Sequence, residues 1–177
     1  MRRLATLPVL LAVALTGACT HGSSSPKGSS EHLYDVTPKA SATACSTLPR
    51  TAISEVYGAE VTSVSELNVV HYDSASECLV NVKGQKYTAL AVYLFHGKDW
   101  ETQYGGYLGF LGTDGFSKLQ YGVAARSRVS GHVTTLDVEE RNFGVHLVCD
   151  ATPAAPEKPI GAEACIRVLD GIAAAAG

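Results

Sequence analysis

The side chains available for chemistry in this chain are five cysteines, six histidines, eight tyrosines and a scatter of carboxylates. None forms a familiar catalytic motif. No Ser sits in GxSxG, and there is no HExxH and no GxxxxGK[ST]. The glycine-rich stretch 104–116 (YGGYLGFLGTDGF) lacks the spacing that cradles a dinucleotide, so no cofactor is expected. Of the histidines, His21 and His32 lie in a low-complexity stretch. His71 and His96 fall at strand ends, with Asp73 and Asp99 close by in sequence. A His/Asp site there competes with the plainer reading of solvated loop residues. His132 and His146 are expected on opposite faces, which rules out a shared metal. Asp137, Glu139 and Glu140 likewise read as solvated residues, and adjacent carboxylates on a strand, such as Glu139 and Glu140, point to opposite faces and do not make an acid/base pair. No catalytic residue and no metal site is assigned. The reading that remains is binding. Tyrosine carries apolar area with a polar tip and suits ligand or partner surfaces, as well as half-buried sheet positions.

The cysteines point to a compartment. The chain opens with Arg2 and Arg3, runs apolar from about Leu4 to Ala18, and reaches Leu15-Thr16-Gly17-Ala18-Cys19. A cationic head, a short apolar core and small residues before a cut make a secretory signal. The run is shorter than the roughly 20 residues that span a bilayer. Its end resembles the lipobox of bacterial lipoproteins, in which the Cys receives a diacylglycerol group and the chain is cut before it. Thr16 departs from the aliphatic residue usual at its place. The resemblance implies lipidation at Cys19, export, and a cell-membrane lipoprotein on the extracellular face. With Cys19 assigned, four cysteines remain, Cys45, Cys78, Cys149 and Cys165, an even set for an oxidising compartment. Three pairings are open; the sequential one, Cys45–Cys78 and Cys149–Cys165, is preferred.

Removing residues 1–18 takes two arginines and no acid. The mature chain carries 12 Lys+Arg against 17 Asp+Glu, a formal charge of −5. Without a basic run it is a poor partner for nucleic acid or for anionic lipid, so any membrane attachment falls to the lipid. Its 159 residues suffice for one core.

Three segments follow: a signal over 1–18, a lipidated Ser/Pro-rich tether over 19–43, and one domain over 44–177. The tether would span roughly 25 Å as a coil of about 20 residues. Leu33, Tyr34 and Val36 are its apolar residues, placed to dock on the domain's edge. In the domain, a helix is predicted over 47–57, capped by Ser46 or Thr47 and stopped by Gly58. Residues 61–72 read as an outer strand. A hairpin turning at Gly84 pairs 78–83 with 87–95, and the latter (YTALAVYLF) is apolar enough to be central. Asp99 is expected to cap a helix that gives way to loop by Gly109, because each Gly costs up to about 1 kcal/mol relative to Ala. Its aromatics either plug the core or form a lip beside a groove. Residues 119–125 lead into a second hairpin, 132–139 with 143–150, in which Val138 faces Val145, Leu136 faces Leu147 and Thr134 faces Cys149. After a Pro-rich connector over 151–159, a helix closes the chain over 161–176. The order predicts an α+β domain: a single antiparallel β-sheet with helices packed mainly on one face, pinned by two disulfides.

This layout resembles short actinobacterial lipoproteins of unknown function. The likeness rests on the lipobox, the tether, Cys45-Ser46-Thr47-Leu48 opening a helix that ends at Gly58, then Cys78, Cys149 and Cys165, and covers about residues 45–175. It is more distantly similar to the extracellular sensor domains of mycobacterial Ser/Thr kinases, which are disulfide-pinned α+β domains with a cleft. Val80 stands where the family often has an aromatic. The resemblance brings no catalytic residues. The expectation is a non-catalytic binding, sensor or accessory domain for an envelope protein or small ligand. Its groove is expected along 96–121, at His96, Trp100, Tyr104, Tyr107, Phe110 and Tyr121. An envelope hydrolase using His71 or His96, and a structural or assembly lipoprotein, are the alternatives.

Overall fold

The computed structural model describes residues 35–151 and 160–177. The signal, Cys19, Leu33, Tyr34 and most of the 151–159 connector lie outside the described residues. The elements are α1 (Arg50–Tyr57), β1 (Val61–Asn68), β2 (Ala75–Val82), β3 (Leu90–His96), α2 (Trp100–Leu111), β4 (Ser117–Leu119), β5 (Ala124–Ser130), β6 (Val133–Glu139), β7 (Phe143–Asp150) and α3 (Ala162–Ala176). The strands form one antiparallel sheet in the order β1-β2-β3-β7-β6-β5-β4. The domain is α+β, as the order of predicted elements implies.

Alternation along the strands divides the sheet into two unlike faces. On one, Cys78, Val80, Leu90, Val92, Leu136, Val138, Leu147 and Cys149 form the main core with Ile53 of α1 and Val168, Leu169 and Ile172 of α3. Helix α2 packs on the other face, where Trp100 and Tyr104 join Phe95 in a smaller cluster. Two of the three helices among the described residues thus share one face.

The β6–β7 register has Val138 beside Val145, Leu136 beside Leu147 and Thr134 beside Cys149, as the apolar alternation demands. β1 is an edge strand, largely exposed. Gly58 ends α1 in the left-handed conformation, its neighbourhood closed by a bond from Ala59 N to Ser54 O. Helix α1, however, begins at Arg50 behind Pro49, without a side-chain cap; Thr47 Oγ1 instead donates back to the Thr43 and Ala44 carbonyls.

Several expectations are corrected. Helix α2 does not dissolve at Gly109 but runs to Leu111. The cost of Gly105, Gly106 and Gly109 is offset because Trp100 and Tyr104 are buried against the sheet. Asp99 stands at the N-cap position in the left-handed region but makes no side-chain cap bond. Strand β5 does not emerge from the sequence pattern, since Arg126 and Arg128 break its apolar alternation; they project from the α2 side, while Ala125 and Ser127 are buried on the other. Finally, the tether expected through residue 43 is docked from about residue 35. Val36 packs on the core, Asn142 Nδ2 donates to Val36 O at 3.2 Å, and Lys39 N donates to Ala176 O at 3.1 Å.

Cys45 and Cys78 are bonded, with Cα atoms 4.9 Å apart, tying the segment before α1 to β2. Closing a loop of this length contributes roughly 3–4 kcal/mol. Cys149 of β7 and Cys165 of α3 are both fully buried and neighbours, but stand as free thiols, so the described residues carry one cross-link where two were expected. Burial first, then Cys165 beside it, pushes the Cys149 thiol well up.

Candidate functional site

Two regions gather polar side chains. The first is a row across the α2 face of the sheet. Cross-strand pairing sets Glu77 beside Tyr93, Tyr93 beside His146, His146 beside Asp137, Asp137 beside Arg126 and Arg126 beside Lys118. Six residues on six strands therefore lie side by side. Asp137, 2% exposed, accepts from His146 Nδ1 at 2.5 Å through one oxygen and from Arg126 Nε at 2.6 Å through the other. A buried carboxylate flanked this way is paired rather than stranded. At the other end of the row Tyr107 of α2 packs on Tyr93, with ring centroids 5.4 Å apart, and Glu77 stands beside Tyr93 on the next strand. Both rings meet His146 edge-on with centroids 5.3 Å apart. Burial, then the Glu77 carboxylate, raises the Tyr93 hydroxyl above its ordinary range; burial, then Tyr93 beside it, does the same for Tyr107.

Helix α2 closes over this row because Gly144 leaves room. A Cβ there would lie 2.7 Å from the Tyr104 ring. Tyr104, also raised by its burial, donates to Val145 O at 3.0 Å. Chemically, Asp137 holds His146 Nδ1 and leaves Nε2 as the second ring nitrogen, the arrangement that orients a general base. The ring is 4% exposed and covered by Tyr107, so no open path leads to it.

The second region is an open cleft of about 680 Å³ at the end of the sheet where α2 begins. Glu66, Asp73, Ser74, His96, Asp99 and Gln103 line it, and residues 40–43 form one wall. The wall is fastened: Thr43 Oγ1 donates to Glu66 at 2.9 Å, Ala44 N to Ser76 Oγ at 2.8 Å, and His96 Nε2 pairs with Ala42 O at 2.7 Å. Gln103 Oε1 accepts from Ser74 N at 2.9 Å, so α2 grips the opposite wall. Among the described residues two non-glycine residues have positive φ, Asp99 at 60° in the lining and His71 at 77° in the turn between the lining residues Asn68 and Asp73. Such strain gathers at ligand sites and switches.

The groove residues expected from sequence separate. His96 lines the cleft. Trp100 and Tyr104 are buried under α2, and Tyr107 covers His146. Phe110 is 83% exposed on the helix's outer side. Tyr121 belongs to the opposite face, where its hydroxyl donates to Asp170 of α3 at 2.6 Å. Six aromatic and imidazole groups adjacent in sequence thus do not form one groove. The loop histidine–carboxylate grouping fares better, since Asp73, His96 and Asp99 share the cleft, with His71 exposed beside it. Sequence reasoning misses Asp137–His146, although the register read from Val138 and Val145 already sets the two opposite each other. Among the described residues no group of three His, Cys, Asp or Glu side chains is placed to hold a metal. Among them also, no helix is long and apolar enough to cross a membrane.

No family model matches the chain, and no curated protein matches it. Among solved structures, a GTP binding regulator from Thermotoga maritima is similar with a TM-score of 0.44 and 13% identity, over 81% of this chain and 95% of that one. A likeness of this size carries no argument about function.

Proposed function

We propose that the chain is an exported lipoprotein, held at the outer face of the cell membrane by an acylated Cys19, and that its domain is a non-catalytic binding or sensor module. The observation that carries the binding role is the polar cleft of about 680 Å³, within the size range of small-molecule sites. Its position fits a tethered receptor, because the wall formed by residues 40–43 directly continues the segment that leads back to residue 19. The likeness to actinobacterial lipoproteins of unknown function supports the same reading. Native mass spectrometry of the protein extracted from membranes tests both halves. Acyl mass on Cys19 and a co-purifying small molecule or peptide, lost in a Glu66→Gln/Asp99→Asn variant that folds normally, is the expected result. An unacylated, uncut N-terminus would remove the anchor, and binding indifferent to the double variant would remove the cleft.

One observation favours a second reading, an envelope hydrolase: the buried Asp137–His146 pair, which a substrate reaches only when Tyr107 moves off the ring. The base is then His146, rather than His71 or His96. A screen against esters, glycans and peptides, repeated with His146→Gln, separates the two, since only the hydrolase loses turnover.

A further inference from the structure

The sheet has two edges, β1 and β4, and they are guarded unequally. β4 is three residues long with Lys118 at its centre, and short length and lysine both discourage a further strand. β1 is eight residues long, VTSVSELN, with no Lys, Arg or Pro, and six of the eight are exposed. Its register on β2 shifts between Val61 and Ser63 and is regular from Ser63 to Asn68. The aim of its backbone groups follows from the next pairing. Ala89 N donates to Val80 O, so Val80 turns its polar groups toward β3, and its neighbours Leu79 and Asn81 turn theirs toward β1. Across from these, Ser65 and Ser63 turn theirs toward β2. Val64, Glu66 and Asn68 therefore point N–H and C=O out of the sheet, and no hydrogen bond reaches those groups from any described residue.

This open edge runs into the cleft, because Glu66 and Asn68 belong both to β1 and to the cleft lining. The lining carries three carboxylates, Glu66, Asp73 and Asp99, against the single ammonium of Lys98. Glu66 Oε2 accepts from Thr43 Oγ1, which leaves Oε1 to accept elsewhere. On the opposite face of β1 the next residue, Leu67, is 44% exposed. A strand laid along β1 would thus meet a carboxylate on one face and hydrocarbon on the other. Its backbone would satisfy the outward N–H and C=O groups, the mode by which a peptide adds to a sheet edge.

We infer that β1 and the cleft together take an extended segment of another protein, added as a further antiparallel strand along Val64–Asn68, with a Lys or Arg opposite Glu66 and an apolar residue beside Leu67. The assignment rests on the cleft being the binding site and narrows its ligand to a basic polypeptide. A second copy of this chain is the poorer occupant, since its own β1 brings Glu66 as its one charge and no cation.

The experiment titrates the peptide acetyl-TTVKVTT-amide into the isotope-labelled mature chain, residues 19–177, and follows backbone amide signals by NMR. Saturable shifts are expected at Val64, Glu66 and Asn68 on the edge, and at Ser74 and His96 in the cleft. The same peptide with Glu in place of Lys should bind about tenfold weaker, since attraction to Glu66 becomes repulsion. N-methylation at its central residue and at the threonines two places away removes the donors aimed at β1 and should weaken binding at least as much. Val64→Pro deletes an outward N–H but no bond to β2 and should do the same; if that variant does not fold, the N-methylated peptide decides on the unaltered chain. Shifts confined to the cleft, or binding indifferent to N-methylation, would overturn the edge and leave the cleft as the site. Equal binding of the Glu peptide would overturn the basic partner. Shifts along β1 that grow with protein concentration alone would give the edge to a second copy. No saturable shift with any of the peptides would overturn the inference, while a co-purifying small molecule lost on the Glu66→Gln/Asp99→Asn change would leave the cleft reading standing.

Discussion

The two faces of the sheet are built from alternate residues of the same strands, yet they are held by different forces. On the face under α1 and α3, Val80, Val92, Leu147 and Leu136 bury hydrocarbon, and the contribution grows with area. On the face under α2, His146, Asp137 and Arg126 are joined by hydrogen bonds and charge, and Tyr93 meets the His146 ring edge-on. The first face tolerates volume-conserving change. The second does not tolerate loss of one member, because each leaves a buried partner unmet. A single strand can thus serve stability on one side and carry chemistry on the other.

The broadest way to break that contrast is alkali, since it acts on both faces. Tyr57 under α1, and Tyr93, Tyr104 and Tyr107 under α2, all have hydroxyls raised, mainly by burial. A folded-state value above the unfolded one, near 10, gives stability that is complete below about pH 10 and lost as pH climbs above it. The tyrosinate absorbance of these four should therefore appear only with loss of helix signal above about pH 10; ionisation of more than four of the eight tyrosines before unfolding would show the hydroxyls to be open.

Next in size is Asp137→Ala, which strands both His146 and Arg126 and should cost about 3–5 kcal/mol in denaturant unfolding. Leu147→Ala, one residue from His146 on the apolar side, should cost about 2–5 kcal/mol by leaving a cavity. The two separate in a triple variant: Asp137→Leu with His146→Leu and Arg126→Leu should recover much of the first loss, and nothing comparable rescues the second.

Smaller effects are expected at the glycines on which the helices sit. Gly144→Ala drives a Cβ into the Tyr104 ring, and Gly171→Ala drives one into the Pro49 ring. Each should cost about 1–3 kcal/mol. Gly144→Ala should in addition alter the near-ultraviolet signal of the tyrosine cluster, which Gly171→Ala should leave unchanged. The smallest change is a gain. A Cβ added at Gly109 in α2 would meet nothing within 4 Å, so Gly109→Ala should stabilise by up to about 1 kcal/mol, seen as a higher midpoint.

Much of the architecture is legible because it is local. Apolar alternation is enough for the β6–β7 register, the β2–β3 hairpin and the last helix. Cysteine order proposes Cys45–Cys78, which is bonded, and Cys149–Cys165, which is adjacent but unbonded. The length of α2 escapes such reasoning because propensity counts glycines and not the burial of Trp100 and Tyr104. Strand β5 escapes it because its arginines are matched from another strand. The Asp137–His146 pair is within reach of the register, but carboxylates weighed only against their neighbours in sequence conceal it.

The residues alone determined which side chains share a strand face, because a pleated chain turns successive side chains to opposite sides whatever surrounds it. They also determined the main core, since only one parity of these strands is apolar throughout. Only the tertiary structure decided that β3 lies beside β7, which sets Tyr93 against His146 across about 50 residues of chain. That neighbour relation depends on which surfaces exclude water together, a property of the assembled sheet and its helices rather than of any window of sequence.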